Sequence, residues 1–144
     1  MKIRNIILII ILLIILACTA FFTYPKSFNK YVDCENITVS YLDLFNTGTP
    51  QTFDFSVTSQ DAEFQKIIDI LEKYTYRNCF DTLRNESFGR NQSVLITLTL
   101  DTNNITLSDI STIIINGTFY KIGYLGDTKS RELTDELRIA LGIG

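Results

Sequence analysis

Thr112-Ile113-Ile114-Ile115-Asn116-Gly117-Thr118-Phe119-Tyr120-Lys121-Ile122 is the stretch that decides how this chain folds. β-Branched and aromatic residues flank Asn-Gly, a pair that accepts positive φ at both central positions of a type I′ turn. A two-residue turn sets the register, with Ile113 opposite Tyr120 and Ile114 opposite Phe119. Both faces of this hairpin then carry large apolar groups. A helix over one face and a loop or edge over the other would account for that structurally. The functional alternative is an exposed interaction patch of Phe119 with Tyr76 or Phe88.

Immediately upstream, Val94 to Leu100 puts Val94, Ile96, Leu98 and Leu100 on one side and Leu95, Thr97 and Thr99 on the other. Asp101-Thr102-Asn103-Asn104 turns that strand into Ile105-Thr106-Leu107, a second hairpin. The polar run from Arg84 to Ser93, with Gly89 inside it, reads as a loop. Tyr74 to Phe80 has the aromatics and threonine of a strand. Further upstream, Ile37 to Leu42 and Phe53 to Val57 alternate on either side of a break at Asn46-Thr47-Gly48-Thr49-Pro50. They form a third hairpin, with Phe53, Phe55 and Val57 inward and Asp54 and Ser56 in water.

Two helices complete the body. Phe64, Ile67, Ile68, Leu71 and Tyr74 recur at helical spacing behind a capping signal at Thr58 to Asp61. The acids Asp61, Glu63, Asp69 and Glu72 lie mostly opposite that stripe and read as a solvated face. A second helix from about Ser130 to Leu141 carries Leu133, Leu137, Ala140 and Leu141 inward, with Thr128 or Ser130 as cap and Gly142 as stop. Asp135 and Arg138 are expected in solvent. The fold class is α+β: an antiparallel sheet with two helices packed on one face, preceded by an N-terminal hydrophobic leader or anchor helix.

That leader is the strongest functional signal. Every side chain from Ile6 to Ala17 is apolar, behind Lys2 and Arg4. Such a run leaves no polar face for solvent, which argues against a buried core helix. Up to Cys18 it has the length of a secretory h-region of about 7–15 residues. Carried on to Tyr24, it approaches the roughly 20 residues of a spanning helix. Three fates are open: lipidation at Cys18, an uncleaved anchor, or cleavage after Ala20. Each places residues from about Lys26 onward outside the membrane, because flanking positive charge is retained in the cytoplasm. The division is residues 1–24 leader or anchor, 25–36 linker, and 37–144 extracytoplasmic domain.

Composition excludes several functions. With 13 Lys and Arg against 16 Asp and Glu, the net charge is -3, and no basic footprint for nucleic acid exists. Histidine is absent, which removes the commonest general base and metal ligand. No CxxC pair offers zinc ligands, so neither metal nor cofactor is expected. Cys34 and Cys79 read either as a disulfide closing a loop of about 45 residues, worth about 4 kcal/mol, or as two unrelated thiols. Asn36, Asn85, Asn91, Asn104 and Asn116 head Asn-x-Ser/Thr triplets. The composition and leader suggest a bacterium, and Asn116 is committed to a turn, so these read as chance matches rather than glycan acceptors.

Ile15-Leu16-Ala17-Cys18 resembles the lipobox of bacterial lipoproteins, with Ala17 and Cys18 matching well. Leu16 stands where a small residue is usual, and the tether after Cys18 is unusually greasy. With the helix segment Ile67-Ile68-Asp69-Ile70-Leu71-Glu72-Lys73-Tyr74 and the Asn116-Gly117 hairpin, the chain resembles small lipoproteins of Firmicutes. The resemblance implies an extracytoplasmic domain without an assigned activity and transfers no functional residue except Cys18, the lipid attachment point. Two function classes follow. The first is a non-catalytic, membrane-tethered module that binds a peptide, a small ligand or another envelope protein through its sheet edge or aromatic patch. The second is a small cell-envelope hydrolase using two carboxylates such as Asp54 and Asp81, or a Ser93 or Cys79 nucleophile. The missing histidine and the absence of a G-x-S-x-G elbow favour the first.

Overall fold

The computed structural model describes residues 3–43, 51–84, 94–108, 112–123 and 128–143. In chain order the elements are α1 (Ile3–Thr23), β1 (Lys26–Ser27), α2 (Asn29–Val32), β2 (Asn36–Asp43) and β3 (Gln51–Thr58). There follow α3 (Ala62–Lys73), β4 (Thr75–Arg77), α4 (Phe80–Arg84), β5 (Val94–Leu100), β6 (Asn103–Ser108), β7 (Thr112–Ile115), β8 (Thr118–Ile122) and α5 (Thr128–Ala140). The strands form one antiparallel α+β sheet in the order β1-β4-β8-β7-β6-β5-β2-β3.

Local chemistry sets most of this order. Asn116 and Gly117 take φ of 49° and 79°, the left-handed pair that a type I′ turn needs. Ile113 accordingly pairs with Tyr120 and Ile114 with Phe119. Asn116 also ties the turn to β6: its Oδ1 accepts from the Asn104 N–H at 2.8 Å, and its Nδ2 donates to Asn103 Oδ1 at 2.9 Å.

Strict alternation gives the sheet two unlike faces. On the inner face Val39, Leu98, Ile105 and Ile115 form one cross-strand row, all fully or almost fully buried. Helices α3 and α5 cover that face, packing on each other and on β3, β6 and β8. They contribute Phe64, Ile67, Ile68 and Leu71 from α3, and Leu133 and Leu137 from α5. Each such side chain contributes about 1.5–3 kcal/mol by leaving water. The outer face carries hydroxyls instead, with Thr38 beside Ser56 at 3.1 Å and Thr97 beside Thr106 at 3.3 Å.

The last helix is docked by a polar tie. Ser130 Oγ and Thr134 Oγ1 both donate to the Ser108 carbonyl, at 3.2 and 3.1 Å. Ser130 is therefore a buried anchor inside α5 rather than its cap, because the helix starts at Thr128. Gly142, at φ 66°, ends it: its N–H donates to Ile139 O and the Ile143 N–H to Arg138 O, the two bonds of a Schellman motif.

Three expectations are corrected. Residues 25–36 are not merely a linker, since β1 pairs with β4 and Phe28 and Tyr31 lie in the core around Tyr76. Phe53 does face the inner side, opposite buried Tyr41, but is 48% exposed rather than buried, because β3 is the sheet edge and its ring meets Tyr41 rather than a helix. The strand expected from Tyr74 to Phe80 stops at Arg77, where the Asn78 side chain turns to other partners.

Candidate binding site at the foot of the N-terminal helix

Helix α1 is 21 residues long, with a mean hydropathy of 3.2 over its most apolar window and no buried residue. At 1.5 Å per residue it spans about 31 Å, enough for a hydrocarbon core of about 30 Å. Its hydroxyls are satisfied internally. Thr19 Oγ1 donates to Ile15 O at 2.8 Å and Thr23 Oγ1 to Thr19 O at 2.7 Å. This arrangement is compatible with a spanning anchor or a signal sequence.

The end of α1 is pinned to the sheet. Asn78 Nδ2 donates to the Phe21 carbonyl at 2.9 Å, satisfying one of the last-turn acceptors that a helix leaves unpaired. Asn78 Oδ1 accepts from Lys26 Nζ at 2.7 Å, and that ammonium lies 4.7 Å from the centre of the Tyr120 ring. Burial, followed by the nearby Lys30 charge, lowers the Lys26 pKa. One residue on, the Phe22 and Phe80 rings meet at 5.1 Å.

Beside this joint lies a cavity of about 320 Å³, lined by Phe22, Arg77, Asn78, Cys79, Phe80, Asp81, Thr112 and Lys121. Sheet register builds its floor, since Arg77 pairs with Lys121 and Lys121 with Thr112, setting the three side by side on the outer face. Two like charges in cross-strand contact repel. Arg77 Nε donates to Gly123 O at 2.6 Å, which fixes one edge of the guanidinium. Lys121 has no carboxylate ion-pair partner among the described residues. The wall is α4, fastened by Thr82: its Oγ1 accepts from the Cys79 N–H at 2.8 Å and donates to Phe119 O at 2.5 Å. Among the described residues the lining thus carries two cations on its floor and one carboxylate, Asp81, on its wall.

The residues singled out in the sequence fall in different places. Cys18 lies exposed on α1. Cys34 and Cys79 are free thiols, not a bridge. Cys34 precedes β2 and Cys79 follows β4, with four strands between those two in the sheet. A disulfide needs Cα atoms within about 7 Å. Burial, then Asp101 and Asp33, push the Cys34 thiol up to about 11, so it is a poor nucleophile.

The aromatic patch is also dispersed. Tyr76 is 2% exposed on the inner face, while Phe119 is 7% exposed on the other face beneath α4. Phe88 lies outside the described residues, as does Ser93. Asp54 on β3 and Asp81 beside β8 are likewise separated by four strands. They cannot form the carboxylate pair, about 5–10 Å apart, of a glycosidase. Among the described residues no group of three or more Cys, Asp or Glu is placed to hold a metal ion.

A second polar cluster ties sheet to helix. The Tyr41 hydroxyl donates to Asp43 Oδ2 at 3.4 Å near Arg138, and burial pushes the phenol pKa up while the Arg138 charge opposes that shift. Arg138, expected in solvent, is partly withdrawn, and its Nε is buried. Comparison with known protein families, curated proteins and solved structures finds no match.

Proposed function

We propose that this chain is a membrane-tethered, extracytoplasmic binding module without catalytic chemistry. The supporting observation is the junction of α1 with the sheet, where an apolar helix of spanning length ends directly against a charged cavity. Lys2 and Arg4 before the helix favour a cytoplasmic amino terminus, and Tyr24 just after it suits the far interface. The tether is either the uncleaved helix or a lipid on Cys18, and Phe21 and Phe22 stay at the membrane surface in both cases. With no histidine and with Asp54 and Asp81 far apart, the cavity offers recognition of charge rather than proton transfer. Fractionation of cells expressing the full chain tests the tether. The protein should stay in the membrane pellet through an alkaline carbonate wash and leave it in detergent, whereas a freely soluble full-length pool would overturn the proposal.

A further inference from the structure

The strands of this sheet are sorted by charge. At the end joined to α1, strands β1, β4 and β8 carry Lys26, Arg77 and Lys121 and no carboxylate. At the opposite end, β2 and β3 carry Asp43 and Asp54 and no cation. Strands β5, β6 and β7 between them carry no charge at all. An acidic protein thus concentrates its strand cations beside α1, among the described residues the one element long and apolar enough to enter a bilayer. The acids of α3 and α5 lie in the helix layer, across the sheet from α4.

The same end presents apolar groups to solvent. Phe80 is 74% exposed and Leu83 65% exposed. Spaced i, i+3, they share one side of α4. Phe80 stacks on Phe22 in the last turn of α1, so α4 stands at the level where that helix leaves hydrocarbon. Tyr24, 70% exposed at the same level, has the amphipathic ring favoured at interfaces. Short apolar surfaces next to cations bind interfaces through shallow burial combined with attraction to anionic headgroups.

We infer that the cavity floored by Arg77 and Lys121 takes the phosphate of an anionic phospholipid while Phe80 and Leu83 enter the headgroup region of the same leaflet. The domain then lies against the membrane with α4 beneath it, instead of swinging on a tether. The inference rests on the proposed tethering and adds the partner and its orientation. Asn78, Thr112 and the Cys79 wall shape the cavity beside the two cations, and Asp81 limits its affinity.

The absence of tryptophan makes the test direct. Single-tryptophan forms of the full chain, Phe80→Trp, Ile139→Trp and Ile11→Trp, are reconstituted in nanodiscs containing brominated lipid. One set contains phosphatidylcholine alone, and the other adds phosphatidylglycerol. Quenching at position 11 reports the tether by itself, and its absence would sink the tethering proposal rather than the lipid site. With position 11 quenched, the inference expects quenching at position 80 that grows with phosphatidylglycerol, and none at position 139, exposed on α5 across the sheet. In the Phe80→Trp form, Lys121→Gln should raise the phosphatidylglycerol fraction at half-effect about fivefold, near the worth of one surface cation. Asp81→Asn should lower that fraction. No quenching at position 80, or quenching indifferent to phosphatidylglycerol and to both substitutions, overturns the inference. So does reversal of the effect by dilute inorganic phosphate, which would assign the site to a soluble anion.

Discussion

Asn78 Nδ2 donates a 2.9 Å hydrogen bond to the carbonyl oxygen of Phe21, joining the last turn of α1 to the end of β4. Through its Oδ1 the same side chain holds Lys26 on the neighbouring strand. Asn78→Ala leaves the Phe21 carbonyl and the Lys26 ammonium without this partner at a part-buried site. The expected cost is about 1–3 kcal/mol, read as a lowered urea midpoint followed by tyrosine circular dichroism. A change below about 0.5 kcal/mol, the size of an ordinary surface substitution, would show that the joint is not structural.

The two-faced sheet makes a sharper contrast. Leu98 is fully buried in the central row, while Ile139 is almost entirely exposed on α5. Leu98→Ala should cost about 2–5 kcal/mol through lost transfer energy and the cavity left behind. Ile139→Ala should stay within about 0.5 kcal/mol. Comparable losses in the two variants would mean that α5 presents a different side to the sheet.

That contrast also separates what the sequence makes legible from what it hides. The Ile113–Tyr120 and Ile114–Phe119 pairs can be read from Asn116-Gly117 because a two-residue turn couples register to side-chain direction within a dozen residues. The other two hairpins and both amphipathic helices follow from comparably local patterns. The β1–β4–β8 end does not, because β4 finds β8 across more than 40 residues and only then does Arg77 come to lie beside Lys121. Nothing local distinguishes Asn78 from any other turn asparagine. The exposure of Phe53 escaped for a related reason: alternation names a face, but an edge strand can extend past the helices that cover it.

Titration should show a plateau of stability between about pH 5 and pH 8. Glu136 bonds to Lys73 and accepts from the Tyr74 hydroxyl at 3.0 Å; the Lys73 bond is the main reason its pKa is lowered. The Thr58 N–H and hydroxyl lower that of Asp61. Lowered carboxylates add stability above their unfolded values of about 4, and it is lost as pH falls through the folded ones. Cys34 works in the other direction. Raised to about 11, it adds stability that is complete below the unfolded thiol range and disappears as pH rises toward 11. Urea midpoints across this range check both limbs, and Glu136→Gln should flatten the acid one. Both Cys34 and Cys79 should react with iodoacetamide in urea without reductant, and a pair that needs reductant first would restore the disulfide.

Cys18 decides the form of the tether. Replacing it by alanine should abolish lipid labelling and block processing if the Ala17-Cys18 signal is used. If α1 remains whole, membrane retention and apparent mass should be unchanged. Loss of membrane retention without any change in lipid labelling fits neither tether and would contradict both.

The most direct measurement of the central claim asks which side of the membrane the sheet occupies. Ile139 is exposed on the helix layer, so Ile139→Cys in a Cys18→Ser, Cys34→Ser, Cys79→Ser background offers one accessible thiol. Intact cells treated with a membrane-impermeant maleimide should label that thiol as fully as lysed cells do. Labelling that appears only after lysis would place the domain inside the cell and contradict the account.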